Sequence, residues 1–554
     1  MRCLLLSCLL LLTSWAFTQD YDFTKIDQLL HEVDSTGPGV IIGVVKDQQL
    51  LYTATKGMAN LDYNIPLHLA SNFRLSSTSK QFTAACILHL VDKGQLSLND
   101  ALSKFFPDFS PKLGAVTVQQ LLNHTSGIRD YMTLLMIQGS RQMDFFNSFI
   151  GEDRDIMELL LRQEDLSFAS GTQHSYSNTN YWLLGQIVKQ VSNKSLGEYA
   201  QENIFGPLGM ANSFYTEISG VVIPQRVSGY VSPCPECPRM EYRFQPVSVG
   251  DGGVVSSIQD LLLWEQEFHE HHVLSDQCWE NMLTQGRLNT GEEISYAAGL
   301  IISTFNDQKV VKHSGQNPGF TSEILRFPDH QLSVIVLGNQ NWYDARRYAN
   351  EAAAIFFPAE TDTPEVLDTA KPRAADLTPA ELERFSGDYH FLETNEYRTV
   401  ELNGSTLSYL RNNGPTSTLI PVSKNVLVFE DRPHIQLVFT FKEDGGKQIE
   451  WRDPTMGILH ADTYQKASLA EVDKVAYASP YESSELNKTF EIRLAEGQLL
   501  LFMLEHQVPL EPTRKDEFMA MGMFTLKFMR DQAGEITGFR MDAPRAENIF
   551  FRKS

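Results

Sequence analysis

Up to about residue 357, apolar positions recur with helical spacing in some stretches and cluster in strand-length runs in others. From about residue 379 onward the pattern is almost wholly short apolar/polar alternation broken by turn residues. Between the two lies Pro358-Ala-Glu-Thr-Asp-Thr-Pro364 through Lys371-Pro372, a proline-rich polar stretch that reads as a linker. The expected organisation is a signal segment at 1–18, one large domain at 19–357, a linker at 358–378, and β modules at 379–466 and 467–554.

The two modules emerge from a weak tandem repeat. Gly387-Asp-Tyr389, Gly404 before Leu407, Leu419-Ile-Pro421 and Phe439-Thr-Phe441 return in the same order as Ser479-Pro-Tyr481, Gly497 before Leu499, Leu510-Glu-Pro512 and Leu526-Lys-Phe528. Each unit reads as about eight short strands joined by tight turns, which suits a small antiparallel barrel or sandwich. Neither carries an evident nucleophile and base pair, so the expectation is packing or substrate gating.

In the first domain, Phe82-Thr-Ala-Ala-Cys-Ile-Leu-His-Leu-Val91 is apolar nearly all round and stops at Lys93-Gly94, the signature of a buried helix with a glycine stop. Tyr181-Trp-Leu-Leu-Gly-Gln-Ile-Val188 is a second helical pattern. Later, Tyr296 to Ile302, Lys309 to Gly315, Ser322 to Phe327 and Leu332 to Leu337 read as consecutive antiparallel strands, with Phe327-Pro-Asp-His as a hairpin link and His313-Ser314-Gly315 ending one strand.

Composition narrows the class. Lys plus Arg is 46 and Asp plus Glu is 69, a formal charge of −23, with 42% hydrophobic and 21% charged residues. This is a globular composition, and its acidity disfavours a nucleic-acid partner. Met1 and Arg2 precede the apolar run Cys3 to Leu12 and the small residues before Ala16, which reads as a secretory signal cleaved after Ala16 or Thr18, with an uncleaved anchor as the alternative. The product is expected to be secreted or periplasmic, with no membrane span after cleavage. Cys86, Cys234, Cys237 and Cys278 remain, and Cys234-Pro-Glu-Cys237 fits a small loop disulfide better than a redox or zinc motif. His269, His271 and His272 read as a polar helix end rather than a metal cluster.

Ser77-Thr-Ser-Lys80 places a hydroxyl at the start of the buried helix, with an amine one turn on and on the same face. Unpaired backbone N–H groups there suit a developing oxyanion, and Lys80 could take the proton of Ser77 to make it nucleophilic. The same spacing also fits a serine N-cap beside an exposed lysine. Tyr176 and Asn178 are two apart at a loop-to-helix junction, so both could project into a cleft. The glycine of His313-Ser-Gly315 would permit close backbone approach by a ligand.

SxxK, then YxN, then a basic residue-x-Gly at a strand end, in this order, resembles the class C β-lactamase, D,D-peptidase, D-aminopeptidase and serine esterase superfamily. Leu121-Leu-Asn-His-Thr-Ser-Gly-Ile128, Phe205-Gly-Pro-Leu-Gly-Met210 and Asp251-Gly-Gly-Val-Val-Ser-Ser-Ile-Gln-Asp-Leu261 resemble it too, and the likeness covers about residues 23 to 357. It implies an α/β (α+β) β-lactamase-like, penicillin-binding-protein transpeptidase fold: an antiparallel sheet flanked by helices beside a helical lobe, with the cleft between them. By the same resemblance Ser77 forms an acyl-enzyme, Lys80 and Tyr176 share proton transfer, and Asn178 holds the substrate amide or Lys80. Ser77 and Gln316 supply oxyanion N–H groups, while His313 and Gly315 line the substrate strand. No metal or organic cofactor is implied. His313 stands where β-lactamases of the class usually have lysine, and a neutral imidazole is a poorer anchor for a substrate carboxylate.

The expected function is an exported serine hydrolase of amides or esters, of D-amino-acid peptides or related small substrates. The alternatives are a cell-wall D,D-carboxypeptidase, a β-lactamase, or a penicillin-binding sensor with negligible turnover. The partner is a small-molecule or peptide substrate, and the oligomeric state is open.

Overall fold

The computed structural model describes residues 21–139, 153–341 and 343–358 except 219, 233–236 and 244–248, and residues 375–554 except 376, 393–395, 412–415, 434, 443–444, 454–456, 468–473 and 504–505. The signal-like segment, most of the linker and Cys234 lie outside the described residues. Cys237 is disulfide-bonded, whereas Cys86 and Cys278 are buried free thiols.

The large domain is built on one antiparallel sheet of six strands: β1 (Val40–Lys46), β2 (Gln49–Lys56), β3 (Ile301–Phe305), β4 (Gln308–Asn317), β5 (Phe320–Phe327) and β6 (Leu332–Gly338). Their order is β3-β4-β5-β6-β1-β2, so the first and last segments of the domain meet in the middle, with Val40 opposite Gly338 and Lys46 opposite Leu332. β5 and β6 are buried at every position, and β1 at all but Lys46. That explains their near-continuous apolar sequence, because helices cover both faces of the sheet. The helix Ala345–Ala353 and the N-terminal helix Thr24–Leu29 lie on one side. On the other lie α1 (Lys80–Asp92) and the helix Ile258–Glu270, continuous with a helical lobe that includes α2 (Tyr131–Gln138) and α3 (Asn178–Ser192).

Two sequence expectations shift. The strand expected to end at His313-Ser-Gly315 runs on to Asn317, paired with Phe320, so His313 is an interior strand residue. The strand expected from Tyr296 begins only at Ile301, because Tyr296 turns inward and pairs by a single bridge with Ile301.

Each C-terminal module is a closed eight-stranded antiparallel barrel with its strands in chain order, the first running from Gly387–Phe391 to Gly457–Thr463 and the second from Ser479–Ser483 to Ala546–Lys553. The repeat has a physical basis. Tyr389 donates to the carbonyl of Phe385 at 2.7 Å, and Tyr481 to that of Tyr477 at 2.9 Å. Gly404 and Gly497 turn their hairpins with φ of +67° and +78°, where a side chain is disfavoured.

The second barrel docks on the helical lobe. Arg129, 1% exposed, reaches out of the lobe to Glu485 at 2.8 Å and to the carbonyls of Glu547 and Asn548 at 2.8 and 2.7 Å. Glu485 also accepts from the backbone of Glu164 and Asp165. The Asp130 N–H donates to the Arg545 carbonyl at 2.9 Å and the Thr133 hydroxyl to the Pro544 carbonyl at 2.8 Å, fixing the last hairpin of the barrel against the start of α2. Apolar burial runs without a break from the lobe into this barrel, while the first barrel holds a core of its own.

Candidate active site

Ser77 sits in a single buried 3-10 turn, Ser76–Ser79, that feeds directly into α1. Ser76 has φ of +53°, a left-handed conformation that a non-glycine residue holds at a cost of about 1–3 kcal/mol. Neighbouring elements enforce it. Leu75 donates its N–H to Val254 and accepts from the Ser322 hydroxyl at 2.8 Å, and Thr78 and Ser322 share a hydroxyl contact of 2.8 Å. A Cβ at Gly315 would fall 2.1 Å from the Leu75 carbonyl oxygen. The close approach expected at Gly315 is therefore made by the turn that carries Ser77, strand β4 lying directly against it.

Lys80 is fully buried, and its Nζ faces three acceptors: the Ser77 hydroxyl at 3.3 Å, Asn178 Oδ1 at 3.0 Å and the carbonyl of Asp251 at 2.6 Å. Asn178 opens α3, where its own N–H donates to Asp130 at 2.7 Å and its Nδ2 faces the Met132 sulfur. Asn178 thus meets Lys80, one of the two partners expected for it. Tyr176 is half-buried, with Lys80 Nζ 4.8 Å from its ring centroid.

His313 is turned away from solvent. Its Nδ1 lies 2.7 Å from the carbonyl of Ser314, an acceptor, so that nitrogen carries the proton and Nε2 accepts from the Tyr296 hydroxyl at 3.0 Å. Burial, reinforced by nearby Lys80, pushes the imidazole pKa down to about 3, which keeps the ring neutral. Burial pushes the Asp251 carboxyl the other way, to about 6, while the Tyr131 hydroxyl donates to it.

These groups meet in one cavity of about 710 Å³, lined by Ser77, Tyr176, Asn178, His313 and Gln316 among others. Lys80 contacts two of these residues, Ser77 and Asn178, and Gly315 precedes Gln316 in β4. Residues that sequence reasoning missed complete the cavity. Asp130 caps α2 and positions Asn178, and Asp251 acts through its main chain, though the family-like run beginning at Asp251 was a signal. Tyr296 fixes His313. Arg74, Arg346 and Arg545 also line the cavity, and no motif marked any of them.

Residues 26–356 match the family model described as Beta-lactamase. The chain belongs to the beta-lactamase family. It is 30% identical over 416 residues to Penicillin-binding protein 4* of Bacillus subtilis (strain 168), covering 72% of this chain and 89% of that protein. Against the D-aminopeptidase of Cereibacter sphaeroides (strain KD131) it is 29% identical over 326 residues, 57% of this chain and 60% of that enzyme. The octameric penicillin-binding protein homologue from Pyrococcus abyssi shares the fold at a TM-score of 0.56 and 24% identity, covering 79% of this chain and all of that one. This beta-lactamase-family chain is a serine hydrolase of the penicillin-binding and D-aminopeptidase type. Among its described residues no helix is long and apolar enough to cross a membrane.

Proposed function

We propose that the protein hydrolyses amides or esters of D-amino-acid peptides and related small substrates through an acyl-enzyme at Ser77. The observation that carries this is the three-way environment of Lys80 Nζ. Asn178 Oδ1 and the Asp251 carbonyl can only accept, so each takes an N–H of Lys80 and together they fix Nζ beside the Ser77 hydroxyl. Of these three partners only the Ser77 hydroxyl carries a proton, so Ser77 is the one that can pass a proton to Lys80 when its amine is free to accept. Ser77 Oγ then attacks the carbonyl as its proton passes to Lys80.

The developing oxyanion is stabilised by the backbone N–H groups of Ser77 and Gln316. Tyr176, beside Lys80, passes the proton to the departing amine or alcohol. Water then attacks the ester, with the same groups returning the proton to Ser77.

The test is labelling of the full chain with a fluorescent penicillin and a fluorophosphonate, followed by turnover of D-aminoacyl amides, D-Ala-D-Ala peptides, short esters and a chromogenic cephalosporin. Wild type is expected to label and to release product, and Ser77→Ala to do neither. Full hydrolysis by Ser77→Ala overturns the nucleophile. A label that is never released identifies an acylated sensor instead.

A further inference from the structure

The last hairpin of the second barrel is a two-residue turn, Pro544-Arg545, closed by pairing of Ala543 with Ala546. Proline followed by a residue with positive φ is the type II pattern, in which glycine or asparagine normally takes the second place. Here that place belongs to Arg545, with φ of +63°. The chain therefore keeps a long cation where the backbone favours glycine. The hairpin is pinned by the Asp130 and Thr133 hydrogen bonds, and the Arg545 side chain enters the active-site cavity. Its guanidinium lies 4.9 Å from the Tyr176 ring centroid. An arginine stacked on an aromatic face leaves its N–H donors free along its edge.

Arg545 makes no ion pair among the described residues, and it is not alone. Arg74, 7% exposed and lining the same cavity, has a buried Nη2 without a hydrogen-bond partner. Arg346, on a third element, donates to Ser314 and stands 3.9 Å from the buried Glu323 carboxylate. Against these cations the described residues of the cavity wall include one carboxylate, Asp251, which is buried and engaged by Tyr131. A buried guanidinium without a partner is costly unless an anion completes it. Among the described residues the wall offers no solvent-facing acid to receive a substrate ammonium. Neutral His313 supplies no charge either.

We infer that Arg545, delivered by the second barrel, is a substrate-binding residue that selects substrates whose departing half carries a carboxylate, with Arg74 and Arg346 lending the surrounding positive field. The placement on the departing half rests on the reading of Tyr176 as the group that protonates the leaving atom, since Arg545 stacks on that ring. The barrel is then part of the substrate site, and the preferred cut releases an amino acid with a free carboxylate rather than one from a free N-terminus. An Arg–carboxylate contact in such a cavity is bidentate and charge-assisted, and its loss lowers kcat/KM by about 10- to 100-fold.

The experiment uses the full chain and matched substrates: an N-acyl-D-Ala-D-Ala acid, its C-terminal amide, and D-alanine p-nitroanilide with a free amine. Wild type is expected to favour the acid over the amide by at least about tenfold in kcat/KM, mainly through KM. In Arg545→Ala the acid should lose at least about tenfold more than the amide; Arg545→Lys should recover part of the preference and Arg545→Glu reverse it. Equal rates for acid and amide, hydrolysis of neither, preference for the anilide, or equal losses on both members in Arg545→Ala each overturn the inference. Penicillin labelling of Ser77 in every variant separates this from the parent reading. A labelled, turning-over enzyme with no charge preference refutes only the role of Arg545, whereas hydrolysis that survives Ser77→Ala refutes the catalytic assignment.

Discussion

The Arg129 guanidinium and the Glu485 carboxylate meet at 2.8 Å with both side chains sealed from solvent, joining the helical lobe to the second barrel. Removing one partner of such a pair leaves an uncompensated buried charge and costs about 3–5 kcal/mol. Glu485→Ala is expected to lower the thermal midpoint accordingly and to reduce hydrolysis by loosening the hairpin beside Tyr176. The double variant Arg129→Met with Glu485→Leu should regain much of the stability. Differential scanning fluorimetry with urea titrations checks both, and a Glu485→Ala loss under about 1 kcal/mol would show that the pair does not hold the barrel in place.

Neither Asn178 nor the Asp251 carbonyl can take a proton in place of Lys80. Lys80→Met is expected to reduce kcat by about 10²- to 10⁴-fold. Circular dichroism should remain native. Stopped-flow acylation with a chromogenic substrate checks that the lost step is acylation.

The buried His313 and Asp251 give opposite pH signatures. His313 is pushed down to about 3 from an ordinary value of 6.5, so as pH falls below 6.5 the unfolded chain takes up a proton that the folded chain refuses. Stability is present above 6.5 and is lost toward pH 3. Asp251 is raised to about 6 from 3.8, so the folded chain keeps its proton longer, and stability is present below pH 4 and lost as pH rises through 6. Relative to wild type, His313→Gln should therefore gain stability progressively from pH 6.5 to 4, and Asp251→Asn from pH 4 to 6, each by roughly a few kcal/mol. Urea unfolding across that range checks the two slopes, and slopes of the same sign would contradict the assignment.

Gly315→Ala tests the clamp on the nucleophile. With 2.1 Å between the new Cβ and the Leu75 oxygen, strand and turn must separate. The expected cost is about 1–3 kcal/mol in stability. It should be accompanied by a loss of about 10²-fold in acylation rate, since a shift on the order of 1 Å in the nucleophile has that effect. Unfolding titrations and penicillin-labelling rates measure the two parts separately.

What the sequence disclosed follows from the range over which each signal acts. Ser77 and Lys80 share one helical turn, and Tyr176 and Asn178 one junction, so local spacing exposes them. The barrels were legible because their hairpins recur with the same turn residues and buried tyrosines. Arg545 and Glu485 were not, for they act on groups more than three hundred residues away and carry no local pattern of their own. Asp251 escaped assignment for another reason: it acts on Lys80 through a peptide carbonyl, which every residue has. The neutral state of His313 depends on Tyr296 and on burial, neither visible in the motif.

The core on the α1 side of the large domain's sheet continues into the second barrel, beside the separate core of the first, and so divides the molecule differently from the order of its chain. Calorimetry should resolve two cooperative transitions rather than three. The first barrel would melt as an independent insert, while the hydrolase and the distant C-terminal barrel unfold together. The family match at residues 26–356 is thus shorter than the apolar cluster it shares in, which reaches past residue 540 and skips what lies between.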